Sequence, residues 1–175
     1  AGFCCRKEVL RDPEVYNIEK ENLIEIKDSR TSFNVNDTIW IKTEVSVLQE
    51  HENRNVNISE ITGDSDRLYS YLGFYELTNF ENPLEINLSE DELVHKTGDI
   101  AYNNSSLTAT AYLQNSQFLS EFGIILKQPG EFIISSSYRP GAINLYVDTS
   151  NGTTVNISTT IKNSENPLEY HFVVE

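Results

Sequence analysis

The sequence predicts an all-β domain: an antiparallel Ig-like β-sandwich of about nine strands with one short surface helix. Two patterns predict this fold class. Apolar and polar residues alternate with a period of two in many segments, and Pro, Gly, Asn and Ser separate these segments at short intervals. The length of 175 residues is sufficient for one sizeable hydrophobic core but too short for two cores of that size. We therefore expect a polar tether over residues 1–21 and a single sandwich domain over residues 22–175.

The clearest strand is predicted over residues 38–47. There Ile39 and Ile41 point to one face of the strand, while Trp40 and Lys42 point to the other. This alternation predicts one buried face and one solvent-exposed face. The same reasoning, together with hairpin-type turns, places further strands at residues 22–27, 56–61, 68–77, 107–113, 123–127, 131–137, 142–148, 153–161 and 168–175.

The one helix is predicted to begin at Ser89. Ser89 and Glu92 have the spacing of a capping box, and the acidic side chains of Glu90 and Asp91 suit the positive end of a helix. Gly98 is a suitable terminator. We expect a short surface helix between these limits.

The charge balance limits the classes of partner. The chain carries 27 acidic and 13 basic side chains, a formal charge of -14, which argues against nucleic acid or an anionic membrane surface as the main partner. No apolar run approaches the ~20 residues needed to span a bilayer. The sequence predicts a folded domain that touches a membrane only through an N-terminal lipid, if at all.

A lipid anchor is predicted from the two cysteines, Cys4 and Cys5. They are adjacent and precede a polar stretch, so they cannot form a disulfide framework, and the chain has no methionine, as expected of a processed product. This arrangement resembles a bacterial lipoprotein after removal of its signal peptide. A secreted or cytosolic protein with a chance cysteine pair is the alternative. Phe3 departs from the lipoprotein pattern, in which a small residue precedes the modified cysteine.

A second segment strengthens this resemblance. Residues 33–41, with the string Val-Asn-Asp-Thr-Ile-Trp, look like the first strand of many uncharacterised flavobacterial lipoproteins, and Lys7 with Glu8 is similar to the charged pair after the anchor cysteine in surface lipoproteins of Bacteroidota. The resemblance covers little more than this strand and the N-terminal cysteines. It implies a sandwich fold and an outer-membrane location, facing the periplasm or the cell surface, and it implies no chemistry.

The acidic middle of the chain offers weak calcium candidates. Residues 43–99 carry -10 of the net charge, and Asp64, Asp66 and Asp99 have the hard oxygen ligands that Ca²⁺ prefers. No complete calcium loop is present, and the histidines lack the spacing of a transition-metal site. We expect a solvated acidic surface, with no metal and no cofactor.

The better functional prediction comes from aromatic residues. By strand parity Trp40, Tyr112 and Tyr146 fall on polar faces, and Asn144 and Asp148 flank Tyr146. Exposed aromatic rings beside amides and carboxylates are suited to stacking on a sugar ring. The sequence therefore predicts a ligand platform of Trp40, Tyr112, Asn144, Tyr146 and Asp148, although a bulge would reverse the parity and bury the same rings.

No catalytic motif accompanies these residues: the sequence lacks a nucleophile elbow, a zinc-protease motif and a phosphate loop. We expect no enzyme, and a non-catalytic extracytoplasmic binding or structural module with a protein or glycan ligand. A carbohydrate-binding module is the second hypothesis. A small hydrolase with carboxylates that meet only in space is the third.

Overall fold

The computed structural model of the chain describes residues 12–79 and 82–175. The described residues form an all-β fold, as predicted, and their one α-helix is the single turn α1 (Ile58–Ile61). The strands are β1 (Val15–Glu19), β2 (Ile24–Ile26), β3 (Ser32–Phe33), β4 (Thr38–Ser46), β5 (Leu48–His51), β6 (Arg54–Asn57), β7 (Arg67–Leu77), β8 (Leu84–Glu85), β9 (Leu93–Thr97), β10 (Asp99–Asn103), β11 (Ser106–Gln114), β12 (Gln117–Ile125), β13 (Gly130–Ser136), β14 (Ile143–Val147), β15 (Thr154–Thr159) and β16 (Glu169–Val174).

Fourteen of these strands belong to one curled sheet, and β5 and β6 form a separate hairpin. The main path through the sheet runs β1–β15–β14–β7–β11–β12–β4–β2. Its two ends approach each other, because Ile24 of β2 forms a bridge with Ile161, just after β15, and the Lys162 N–H donates to the Ile24 carbonyl at 2.8 Å. The sheet therefore encloses its own core.

The prediction of a purely antiparallel sandwich of nine strands is wrong in its detail. The sheet is mixed, since β1 pairs with β15 and β3 pairs with β16 in parallel. It is also branched: on one side of the 11-residue β7, the first half pairs with β14 and the second half with β13. A long strand has room for two partners along one edge, and a period of two in the sequence does not identify either of them.

The core lies on the inner side of the curled sheet and is formed by alternate side chains of its strands. Its aromatic part is a cluster of Phe33, Phe74, Phe132 and Phe172, in which neighbouring ring centroids lie 5.3 to 6.0 Å apart. Full burial of a Phe side chain stabilises a fold by about 1.5–3 kcal/mol. We infer that this cluster is a main source of stability for the β7–β13–β16 part of the sheet.

The helix prediction fails where sheet pairing competes with it. The capping box is present, with the Ser89 N–H donating to the Glu92 carboxylate at 2.8 Å, but it caps only a 3-10 turn over Glu90–Glu92. The following residues form β9, which pairs with β12. Conversely α1 lies where alternation predicts the end of a strand. Asn57 caps it by accepting from the N–H groups of Ser59 and Glu60 at 3.1 and 3.3 Å.

The sheet also begins earlier than the predicted domain. Strand β1 lies inside the range expected to be tether, yet Val15–Glu19 pairs along its length with residues 154–158 of β15. The nearly balanced charges of this stretch are typical of a tether, but the residues form a short edge strand in which Ile18 is buried. In the part of the chain that the structure describes, no helix has the length and apolar character needed to cross a membrane.

Candidate functional site

The strand β7 separates its side chains cleanly between the two faces of the sheet. Leu68, Ser70 and Leu72 are buried in the core. Tyr69 and Tyr71 have the opposite parity and lie half-buried on the outer face. The two rings provide an apolar surface with polar hydroxyl ends on the outer face of a central strand.

Neighbouring strands add further aromatic and polar side chains to the same face. Tyr146 of β14 lies directly beside Tyr69, and Tyr112 of β11 lies directly beside Arg67. Asn144 shares the outward parity of Tyr146. We call this surface the tyrosine face; its residues are Arg67, Tyr69, Tyr71, Tyr112, Asn144 and Tyr146.

The tyrosines of this face contact one another. The rings of Tyr71 and Tyr146 have centroids 5.8 Å apart at an interplanar angle of 56°. Partial burial, and then the neighbouring phenols of Tyr69, Tyr146 and Tyr138, raise the pKa of Tyr71. The Tyr71 phenol therefore stays neutral at physiological pH and acts as a hydrogen-bonding group at the edge of an apolar ring.

A shallow pocket opens beside this pair. It has a volume of about 160 Å³ and is lined by Tyr71, Ser136, Ser137, Tyr138, Gly141, Ala142, Asn144 and Tyr146. Tyr138 is 83% exposed and Tyr146 is 38% exposed. Gly141 keeps the rim narrow, because a Cβ atom there would meet the Tyr138 carbonyl oxygen at 2.7 Å. Since whole-ligand pockets usually measure about 300–1,000 Å³, this one is suited to a single group of a larger ligand.

Charged groups border the other side of the tyrosine face. The Arg67 guanidinium lies 5.7 Å from the ring centroid of Tyr112, within the range of a cation–π contact, and 3.5 Å from the Asp66 carboxylate. The Tyr112 hydroxyl donates to Asp99 at 2.5 Å, which raises the pKa of the Tyr112 phenol. This border is therefore a polar network around a cation rather than a bare aromatic surface.

The weak calcium candidates lie in or near this network. Asp66 forms an ion pair with Arg67, and Asp99 accepts a hydrogen bond from Tyr112. Both carboxylates therefore already interact with side chains of the protein. Asp64 occupies a turn with a φ of 61°. Within residues 12–79 and 82–175, no three His, Cys, Asp or Glu side chains are grouped in a way that could hold a metal ion.

The structure brings together four of the five predicted platform residues. Tyr112, Asn144 and Tyr146 belong to the tyrosine face, and Asp148 lies at its edge, where its N–H donates to the Arg67 carbonyl at 3.0 Å. Asn144 accepts a hydrogen bond of 2.8 Å from the Ser158 hydroxyl. These amide, hydroxyl and carboxylate groups surround the rings with donors and acceptors.

Trp40 lies apart from the other predicted residues. It shares the outer face, but strand β12 separates its strand β4 from Tyr112. Its ring is half-buried next to Gly123, where an added Cβ atom would approach the ring to 3.2 Å, and the Lys96 ammonium lies 5.3 Å from its centroid. Trp40 therefore belongs to a small cluster of its own with β9 and β12.

Two parts of the outer face are absent from the sequence-based platform. The first omission is the pair Tyr69 and Tyr71, although their alternation with the buried Leu68 and Leu72 places them on the outer face. The second omission is a polar cleft of about 970 Å³ between strand β4 and the β5–β6 hairpin. No local pattern indicates it, because its walls come from distant segments.

The predicted lipid anchor, Cys4 and Cys5, lies outside the described residues.

The comparisons with known proteins give little. No family model matches the sequence, and no curated protein matches it. Among solved structures, the chain is similar to the crystal structure of the human F-spondin reeler domain (fragment 1), with a TM-score of 0.40 and 10% sequence identity. The alignment covers 97% of this chain and 99% of that domain.

Proposed function

We propose that the protein is a non-catalytic, extracytoplasmic binding module that recognises carbohydrate on the tyrosine face. The observation that carries this proposal is the contact of Tyr71 and Tyr146 beside a shallow pocket with hydroxyl and amide walls. A tyrosine ring provides an apolar surface for the C–H groups of a sugar, and its hydroxyl provides a polar end. Ser136, Ser137 and Asn144 supply hydrogen-bonding partners for sugar hydroxyls.

The charge of the protein narrows the class of carbohydrate. With a formal charge of -14, the surface repels sulfated or uronic-acid glycans at long range. Arg67 is the one cation of the tyrosine face, and it already faces Asp66. The proposal is therefore for a neutral glycan.

The same face is poorly suited to a large protein interface. Stable interfaces bury about 1,200–2,000 Å² around an apolar centre. Here the outward neighbours of the tyrosines are Asn144, Ser158 and the threonines Thr108 and Thr110 of β11, which are polar. A hydroxyl-rich ligand that needs one or two rings to stack on fits this composition better.

Direct binding measurements test the proposal. Affinity electrophoresis through gels containing neutral polysaccharides, compared with sulfated ones, should retard the native protein in at least one neutral gel. Tyr146→Ala and Tyr69→Ala should each weaken the affinity about tenfold or more, which corresponds to a binding free energy of ~1.4 kcal/mol. Leu84→Ala is the matched control, because Leu84 is an apolar residue that is 51% exposed on β8, outside the tyrosine face.

Trp40→Ala is a further arm of this experiment. Undiminished binding by this variant would show that Trp40 takes no part in the binding site, in agreement with its separation from the tyrosine face. Equal binding by the native protein and both tyrosine variants in every gel would contradict the proposal.

The extracytoplasmic location is part of the proposal, as a lipoprotein of a bacterial outer membrane. Its support is the adjacent pair Cys4 and Cys5 ahead of a polar stretch. Expressed with its native signal peptide, the protein should incorporate labelled palmitate and partition into detergent. The double variant Cys4→Ala, Cys5→Ala should do neither. Native protein that carries no label and stays in the aqueous phase would contradict the anchor without affecting the glycan proposal.

A further inference from the structure

A polar cleft lies beneath the β5–β6 hairpin, and we call it the hairpin cleft. Its floor is formed by the outward side chains of β4 and β12, among them Lys42, Glu44 and Gln117. One wall is the hairpin, including Leu48, which is 58% exposed. The opposite wall is the connection between β1 and β2. A volume of about 970 Å³ lies within the range of ligand-binding sites.

The hairpin cleft and the tyrosine face lie on the same side of the sheet, and one row of directly paired residues runs between them. Arg67 of β7 lies beside Tyr112 of β11, Tyr112 lies beside Leu119 of β12, and Leu119 lies beside Glu44 of β4. Glu44 is already a floor residue of the cleft. Directly paired residues of neighbouring strands project from the same face, so this row connects Arg67 and Tyr112 of the tyrosine face with the cleft.

The length of this path can be estimated from strand spacing. Strands β14, β7, β11, β12 and β4 are consecutive neighbours. Four spacings of about 4.8 Å across the strands, with an offset of two residues along β7 from Arg67 to Tyr69, give roughly 20 Å along the sheet between Tyr146 and the cleft floor. Only an extended ligand that crosses the strands can occupy both places at once.

The charges of the cleft floor are internally compensated. The Lys42 ammonium lies 2.6 Å from the Glu44 carboxylate, and Lys162 lies 3.5 Å from Glu25. The hydrogen bond with Glu44 raises the pKa of Lys42, and the same contact lowers the pKa of Glu44. Both groups are therefore charged and paired. Lys20 is the remaining cation among the lining residues, and the lining carboxylates of Glu19, Glu50 and Glu52 outnumber it.

The walls are rich in carboxylates and side-chain amides. The wall amides are Asn22, Gln49, Asn53 and Asn55, with Gln117 on the floor, and the wall carboxylates include Glu19, Glu50 and Glu52. Amides donate and accept hydrogen bonds with hydroxyl groups, and the surplus carboxylates disfavour a negatively charged ligand. The cleft thus suits the same neutral, hydroxyl-rich chemistry as the tyrosine face.

We propose that the ligand is a linear, neutral glycan chain that crosses the strands from the Tyr71–Tyr146 pocket to the hairpin cleft. This inference rests on the proposed carbohydrate function and adds a second subsite to it. Two subsites joined by one chain bind with an effective concentration, so affinity increases steeply once the chain reaches both of them.

Chain length and cleft substitutions test the inference. The probes are the disaccharides and hexasaccharides of the cello-, laminari- and manno-series, titrated by calorimetry against the native protein. In the series that binds, the hexasaccharide should bind on the order of 10²-fold more tightly than the disaccharide. The double variant Asn55→Ala, Gln117→Ala should weaken hexasaccharide binding about tenfold, corresponding to the loss of one or two hydrogen bonds, and should leave disaccharide binding unchanged.

Two controls accompany these titrations. Gln128→Ala removes an exposed amide outside the cleft and should change neither affinity. Thermal melts of every variant, without ligand, separate loss of binding from loss of fold.

The possible failures are distinguishable. If the disaccharide and the hexasaccharide bind equally well, or if the cleft variant binds the hexasaccharide like the native protein while Tyr146→Ala is impaired, the two-subsite inference is overturned and the tyrosine face stands. If no series binds, or if Tyr146→Ala binds as well as the native protein, the proposed function itself is overturned.

Discussion

Aromatic side chains occupy both faces of the sheet, and the two groups differ in how their surroundings use them. In the core, Tyr170 and Phe172 are each 2% exposed, and the Tyr170 hydroxyl donates to the Arg30 carbonyl at 2.7 Å. On the tyrosine face, Tyr71 and Tyr146 contact each other at the edge of an open pocket, and Tyr146 is 38% exposed.

This difference separates stabilising aromatics from binding aromatics. A phenol buried in the core must find an acceptor, because an unsatisfied hydroxyl costs free energy there. A phenol on the outer face has water as a partner and keeps its hydrogen bonds available for exchange with a ligand. We expect substitutions in the core to change stability and substitutions on the tyrosine face to change binding.

The largest expected effect is that of Phe172→Ala. The ring packs against Phe33, Phe74 and Phe132 at centroid distances of 5.6 to 6.0 Å. Its removal should lower the free energy of unfolding by about 3–5 kcal/mol, measured by denaturant titration. The neighbouring Val173 has the opposite parity and is 39% exposed, so Val173→Ala should cost less than ~0.5 kcal/mol. Similar losses for the two variants would remove the distinction between the faces.

The next effect is a loss of stability at alkaline pH. Burial raises the pKa of Tyr75, Tyr170 and Tyr71, so these phenols hold their protons to higher pH in the folded chain than in the unfolded chain. Their contribution to the free energy of unfolding is fully present below the ordinary tyrosine pKa of about 10. It is lost as the pH rises through the raised pKa values of the folded chain.

Denaturant titrations between neutral and strongly alkaline pH, with phenolate absorbance as a second signal, measure this effect. Tyr170→Phe should show a smaller alkaline loss than the native protein. The same alkaline slope in both proteins would show that burial of Tyr170 plays no part.

An intermediate effect is expected for Trp40→Ala, because Trp40 lies half-buried on Gly123 with Lys96 beside it. The free energy of unfolding should fall by about 2 kcal/mol, less than the ~3–5 kcal/mol of a fully buried ring. Trp40 is the one tryptophan of the chain, so its fluorescence reports its surroundings, and the native emission should lie at shorter wavelength than that of free indole in water. Emission like free indole would mean that the ring is a free surface aromatic.

The smallest effects come from a matched pair that removes only a hydroxyl. Tyr170→Phe loses the hydrogen bond to the Arg30 carbonyl and should cost about 1 kcal/mol. Tyr146→Phe should stay within ~0.5 kcal/mol of the native protein, because water replaces the partners of a surface hydroxyl. Differential unfolding of the three proteins in one buffer measures both changes. A larger loss for Tyr146→Phe than for Tyr170→Phe would reverse the assignment of the two faces.

In strands with regular alternation, the sequence by itself determined which residues face the core. In β4, Ile39 and Ile41 are fully buried and Trp40 and Lys42 lie outside, as the alternation predicts. Parity is a local property, because successive side chains of an extended chain point to opposite faces wherever the strand lies. For the same reason the outward positions of Tyr112, Asn144 and Tyr146 could be predicted without knowing their neighbours.

Only the tertiary structure decided which of these residues meet. Strand pairing depends on contacts between distant segments and places Tyr69 beside Tyr146, whereas β12 lies between Tyr112 and the strand of Trp40. Strand pairing also explains why the residues after Glu92 form β9 and not the predicted helix. Backbone groups of β12 form hydrogen bonds with the extended chain there. The hairpin cleft is the clearest case. Its walls come from segments between Ile18 and Lys162, and the void between them exists only after the sheet has curled.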